Sequence, residues 1–137
     1  MKTFRYAWIG LAILFLCQVN ATAAERKEFI ARTDADGVQR VEMVGGSYFF
    51  DPNYIIVKVN VPVEIRIRKE SGIIPHDVVL KAPEAGIDFS LELKDTPQTI
   101  RFTPTKTGTY AFTCDKKVLF FGSHKDKGME GTIEVRD

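Results

Sequence analysis

Tyr110, Phe112 and Cys114 occupy alternate positions of a β-rich run that begins at Gly108, and Ile133 and Val135 repeat that period after an intervening loop. Residues two apart on a strand point to one face, so these runs read as neighbouring strands turning their bulky side chains to one interior. The rest of the chain has the same rhythm. Val63, Ile65 and Ile67 alternate with Glu64, Arg66 and Arg68 as in a half-buried strand. Weaker alternation covers 38–44, with Gln39, Val41 and Met43 on one side, and residues 47–50 are aromatic and β-prone up to the Asp51-Pro52-Asn53 turn. Residues 54–59, 76–81, 87–93 and 98–102 read as further strands, broken by Asn60-Val61-Pro62, by Ala82-Pro83-Glu84-Ala85-Gly86 and by the polar turn 103–108. Strands with a turn signal about every eight to twelve residues, and no helical period, predict an all-β antiparallel β-sandwich.

The loop between the last two strands carries the chemistry. It starts at Cys114, passes His124 and ends at Met129, so a thiolate, an imidazole and a thioether arrive at one end of the sandwich. These are ligands for a soft or borderline metal, copper above all, and a blue copper site needs two His, one Cys and a weak axial Met. The second imidazole is His76, which opens the strand running to Lys81; the chain contains two His in all.

The pattern G-x-Y-x-F-x-C followed by H-x4-M-x-G-x-I-x-V, with an isolated His upstream, resembles the cupredoxins, the blue copper proteins that include plastocyanin and azurin. The resemblance implies a Greek-key β-sandwich holding one copper ion per chain through His76, Cys114, His124 and Met129. Two departures stand out. Nine residues separate Cys114 from His124, where small blue copper proteins usually have two to four. The dinuclear copper domain of cytochrome oxidase subunit II also has a long loop but needs a second Cys, and Val118 stands in its place here. The residue after the upstream His is often Asn in the family; here it is Asp77, which accepts but cannot donate hydrogen bonds when ionised. Met43 and Glu130 are the alternatives to Met129 as axial ligand. Residues 118–121 (Val-Leu-Phe-Phe) either roof the site or form an apolar docking patch rimmed by Lys116, Lys117, Lys125 and Lys127.

Length and composition narrow the remaining choices. At 137 residues there is room for one domain. Residues 1–23 combine a basic start, an apolar run from Tyr6 to Cys17 and small residues at Ala21 and Ala23, the layout of an export signal. An uncleaved anchor is the alternative. After the signal, residues 24–37 form a polar lead-in and 38–137 the sandwich. Lys2 and Arg5 leave with the signal, which reduces 19 basic residues to 17 against 18 acidic, a balance that argues against nucleic acid as a partner. Cys17 leaves as well, so one thiol remains in a compartment where thiols tend to be oxidised or metal-bound, a buried core thiol being the alternative.

No Ser-His-Asp order, H-E-x-x-H motif or phosphate-binding Gly loop is present, so the expectation is a non-enzymatic protein. The reading is an exported, periplasmic monomer, without stable membrane insertion, that carries single electrons between redox partners such as a c-type cytochrome or a terminal oxidase. A copper carrier or tolerance protein without redox work is the alternative.

Overall fold

A computed structural model of the chain describes residues 25–118 and 122–137, and nearly all of its regular structure is strand. One layer is a six-stranded sheet built from β1 (Glu28–Ile30), β4 (Tyr54–Lys58), β6 (Asp77–Ala82), β7 (Ile87–Glu92), β9 (Gly108–Thr113) and β12 (Glu130–Arg136), in the order β1-β4-β12-β9-β6-β7. The facing layer has four strands, β2 (Gln39–Gly46), β3 (Phe49–Asp51), β5 (Val63–Lys69) and β8 (Gln98–Phe102), in the order β3-β2-β5-β8. A short pair, β10 (Lys117–Val118) and β11 (Gly122–Ser123), stands apart. The export-signal expectation for residues 1–23 lies outside the described residues, among which no helix is long and apolar enough to cross a membrane.

The alternation in the sequence selects the buried face. Val63, Ile65 and Ile67 of β5 are buried beside Val41 and Met43 of β2, which pair with Ile65 and Ile67, and Ile100 of β8 lies opposite Ile65. On the solvent face Glu64 meets Arg101 at 3.0 Å and Arg40 at 3.8 Å; such exposed pairs contribute about 0–1 kcal/mol each. The two layers meet through Phe50 and Phe112, whose rings pack edge to face with centroids 5.1 Å apart. Gly131 faces Phe112 across the β9–β12 ladder, where a Cβ would collide with that ring and with the Asn53 carbonyl. The glycine in M-x-G-x-I is therefore a packing requirement.

The sandwich agrees with the sequence expectation, whereas its pairing is mixed and not purely antiparallel. β4 runs parallel to both β1 and β12, and β2 runs parallel to β5. A parallel pair needs a crossover. The chain provides one by leaving β2 through β3, passing along β4 in the other layer and returning as β5. Alternation marks which face is buried and carries no information on the direction of the neighbour. Within the polar stretch 24–37, Glu28–Ile30 joins the first sheet as an edge strand, fixed by Asn53, whose side chain accepts from the Lys27 amide at 2.7 Å and donates to the Glu25 carbonyl at 2.9 Å.

Candidate metal centre

His76, Cys114 and His124 converge at one end of the sandwich, with ligand atoms all within 4.8 Å of one another. The Nδ1 atoms of the two imidazoles are 3.1 Å apart and Cys114 Sγ lies 3.4 Å from His124 Nδ1. All three residues are buried, as is Met129. Each is placed by backbone bonds of the six-stranded sheet. The carbonyl of His76, immediately before β6, accepts from the Leu93 amide at 2.9 Å. Cys114, just past β9, donates its amide to the Met129 carbonyl at 3.1 Å, and Met129 donates to the His124 carbonyl at 3.0 Å. Met129 is thus tied by its backbone to both loop residues. Met43 is buried in β2 of the other sheet, and Glu130 is exposed.

Asp77 links the two halves without needing an amide. Its backbone N–H points at Cys114 Sγ, 3.4 Å away, and its carboxylate accepts from the Asp115 amide at 2.7 Å. Accepting is all the tie requires, so the change from Asn to Asp preserves it. The long spacing between Cys114 and His124 also has a simple form. β10 and β11 pair antiparallel, Lys117 with Ser123 and Val118 with Gly122, and the His124 amide closes onto the Lys116 carbonyl at 3.1 Å. The extra length is a hairpin outgrowth, and only Asp115 and Lys116 lie between Cys114 and its closing bond. Leu119, Phe120 and Phe121, expected as roof or docking patch, lie outside the described residues. Of the basic rim, Lys116 pairs with Glu92 at 3.0 Å, while Lys117 and Lys125 are exposed.

The electrostatics keep the cluster ready for a cation. Burial lowers the pKa of both imidazoles, with the His124 and Lys69 charges adding to the effect on His76 and the Lys127 charge to that on His124; Asp77 opposes both. Neutral imidazoles present free lone pairs. Burial pushes the Cys114 thiol up, partly offset by the Asp77 and Lys116 amides. The thiol therefore keeps its proton until a metal displaces it. Two imidazole nitrogens and a sulfur with one another as neighbours, buried and convergent, form a donor set suited to copper. His124 Nε2, by contrast, is buried with no hydrogen-bond partner among the described residues.

Tyr48 belongs to this site and the sequence reading missed it. Residues 47–50 read as an aromatic strand, but Ser47 and Tyr48 form the two-residue turn between β2 and β3, with φ of 45° and 66°. Two left-handed residues define the turn type that usually takes Asn-Gly. A left-handed L-residue costs about 1–2 kcal/mol, so Tyr is an expensive choice here. Its ring meets His124 edge-on, centroids 5.0 Å apart at 84°, and lies 6.3 Å from the His76 ring at 89°. Lys127 Nζ sits 4.6 Å from the Tyr48 ring centroid. The sequence signal was Gly45-Gly46 just before it, which marks a turn where an aromatic run suggested extension.

A family model described as a cupredoxin-like domain matches residues 7–133. No curated protein sequence matches the chain. Among solved structures, the metal-binding domain of the Cu(I)-exporting P-type ATPase of Streptococcus pneumoniae D39, with Cu(I), is 19% identical; the match covers 82% of this chain and 99% of that one with a TM-score of 0.59. Reduced auracyanin from Roseiflexus castenholzii is 19% identical over 78% of this chain and 99% of its own, TM-score 0.58. The periplasmic domain of cytochrome oxidase subunit II of Bradyrhizobium japonicum is 14% identical over 72% and 83%, TM-score 0.52. At these identities the structural matches establish the fold.

Proposed function

The chain belongs to the cupredoxin-like family, and on that premise we propose that it is an exported mononuclear copper protein that passes single electrons between protein partners. His76, Cys114, His124 and Met129 are the residues that would hold the copper, one ion per chain, with the Met129 thioether as the weakest donor. Copper so held would supply a one-electron couple at a fixed place near the protein surface. The observation that supports this reading is the convergence of His76 Nδ1, Cys114 Sγ and His124 Nδ1 in a buried cluster.

Burial also weighs between the two classes of copper protein. An electron carrier needs ligands that hardly move when the charge on the metal changes, which a rigid mount provides. Here the cluster is tied through Asp77, Lys116 and Met129 to β6, β9 and β12. A carrier that surrenders its ion is better served by exposed, mobile donors. The proposed partners are a c-type cytochrome or a terminal oxidase, and the proposed location is the periplasm, reached through cleavage near Ala23.

Stopped-flow mixing of the reduced, copper-loaded protein with an oxidised c-type cytochrome tests the reading. Cytochrome reduction with copper retained is expected. Transfer of copper to a metal-free acceptor protein, with no electron exchange, would establish the copper-carrier alternative.

A further inference from the structure

Among the described residues, His124 meets polar neighbours on one side of its ring only. Its Nδ1 faces His76 Nδ1 and Cys114 Sγ, while its buried Nε2 has no hydrogen-bond partner. A metal-binding imidazole usually has its second nitrogen fixed by a carboxylate, carbonyl or water, which sets the plane of the ring. Packing takes that part here: the His76 ring, itself a member of the cluster, lies tilted at 4.8 Å, and the Tyr48 ring stands edge-on at 5.0 Å.

Three observations favour this contact, and not the turn, as the reason for Tyr48. Its backbone is left-handed at φ 66°, a conformation that Asn or Gly adopts more readily. Its ring contacts both imidazoles of the cluster. Lys127, three residues beyond His124 in the same turn, lies over that ring and reaches its hydroxyl at 3.5 Å. Tyr48 thus joins the four-stranded sheet to the turn that carries His124, a turn that Met129 ties to Cys114 beside β9 of the six-stranded sheet. Strained residues held in place by their surroundings gather at functional sites.

We propose that Tyr48 is a positioning residue of the metal centre, whose ring sets the plane of the His124 imidazole in place of the missing hydrogen bond at Nε2. The proposal rests on the copper reading above. Removing the ring frees His124 to rotate, so a bound ion is held less tightly and the thiolate-to-copper absorption changes with it.

Tyr48→Asn is the decisive variant, because Asn suits the left-handed turn and keeps the chain folded while deleting the ring. Copper affinity is expected to fall about 10–100-fold, the range seen when the support of a metal ligand is lost, and release to a chelator to quicken accordingly. The imidazole nitrogen signals of His124 in the metal-free protein are expected to shift and broaden in NMR spectra. Tyr48→Phe, which keeps the ring, should restore the parent release rate, signals and spectrum. Unchanged release and unchanged His124 signals in Tyr48→Asn overturn the proposal. If the Asn variant does not fold, Tyr48→Phe decides: copper loss as fast as from unfolded protein also overturns it, since the ring is present. A parent protein that takes up no copper defeats the copper reading itself, while the metal-free NMR comparison still tests the hold of Tyr48 on His124.

Discussion

The two sheets divide the work unequally. The six-stranded sheet and its loops bear His76, Cys114, His124 and Met129, together with the Asp77 tie. The four-stranded sheet supplies a buried apolar face from Val41, Met43, Ile65, Ile67 and Ile100 and sends one turn, bearing Tyr48, to the cluster. The proposed metal chemistry rests on the first layer, and the second backs it. Apart from the Tyr48 turn, the division predicts that binding and stability are separable: a donor can be lost with little cost to the fold, and the backing layer can be weakened with the donors intact.

The largest effect is expected from Cys114→Ala. Loss of the thiolate removes the strongest donor, so copper binding falls to a small fraction and the intense visible band disappears. Deleting one buried sulfur costs stability on the order of 1 kcal/mol. Metal analysis, absorption and urea unfolding of the metal-free variant check both halves. A variant that binds copper as the parent does overturns the assignment of Cys114.

Ile67→Ala breaks the comparison from the other side. Ile67 is fully buried in β5, and truncating such a side chain costs about 2–5 kcal/mol. Below its lowered unfolding transition the variant should bind copper with the parent's spectrum. A changed spectrum in the folded variant would show that the backing layer also shapes the site.

The acid and alkaline limbs of stability sharpen the contrast, because the displaced titrations of the metal-free cluster all belong to the first layer. His76 and His124 have pKa values below the usual 6.5. The unfolded chain takes up protons below pH 6.5 that the fold resists, so stability is lost as pH falls from 6.5 through the folded values. Cys114 is raised above the usual 9.0, so stability is lost as pH climbs from 9.0 through its folded value. Glu134, held at about 2 by Arg136 and Tyr54, keeps its stabilising contribution above 4.5 and loses it only as pH falls from 4.5 toward 2, a separate and more acidic step. Urea midpoints across pH measure this. The decline just below pH 6.5 should flatten when both His are replaced by Gln, and persistence of the full decline would place its origin elsewhere.

What the sequence made legible follows from the kind of information involved. Burial of Val63, Ile65 and Ile67 is written in adjacent letters, because strand geometry is local. The convergence of His76, Cys114 and His124 was readable because those residue types are rare in this chain and suit one chemistry. Strand direction was not readable, since β4 beside β12 and β2 beside β5 depend on where crossovers return. The long ligand loop was visible as a number, but its closure as a hairpin through Lys116 and His124 was not. Tyr48 was hidden for a different reason: its role depends on a backbone conformation that its residue type disfavours.

The smallest effect separates the two methionines, one buried in each half of the molecule. Met129 closes the ligand loop through its own backbone, and Met43 packs in β2 opposite Ile67. Leu is close to Met in volume, so either Met→Leu change costs less than about 1.5 kcal/mol. The fold then serves as a constant while the sulfur is withdrawn. A thioether donates weakly to copper(II) and tunes the potential more than the affinity. Met129→Leu should therefore retain copper and raise the reduction potential, because the lost donor favoured the oxidised ion. Met43→Leu should leave the potential where it was. Voltammetry of the two variants beside the parent decides the matter: a shift confined to Met43→Leu would move the axial donor to the four-stranded sheet, and with it part of the chemistry now placed in the six-stranded one.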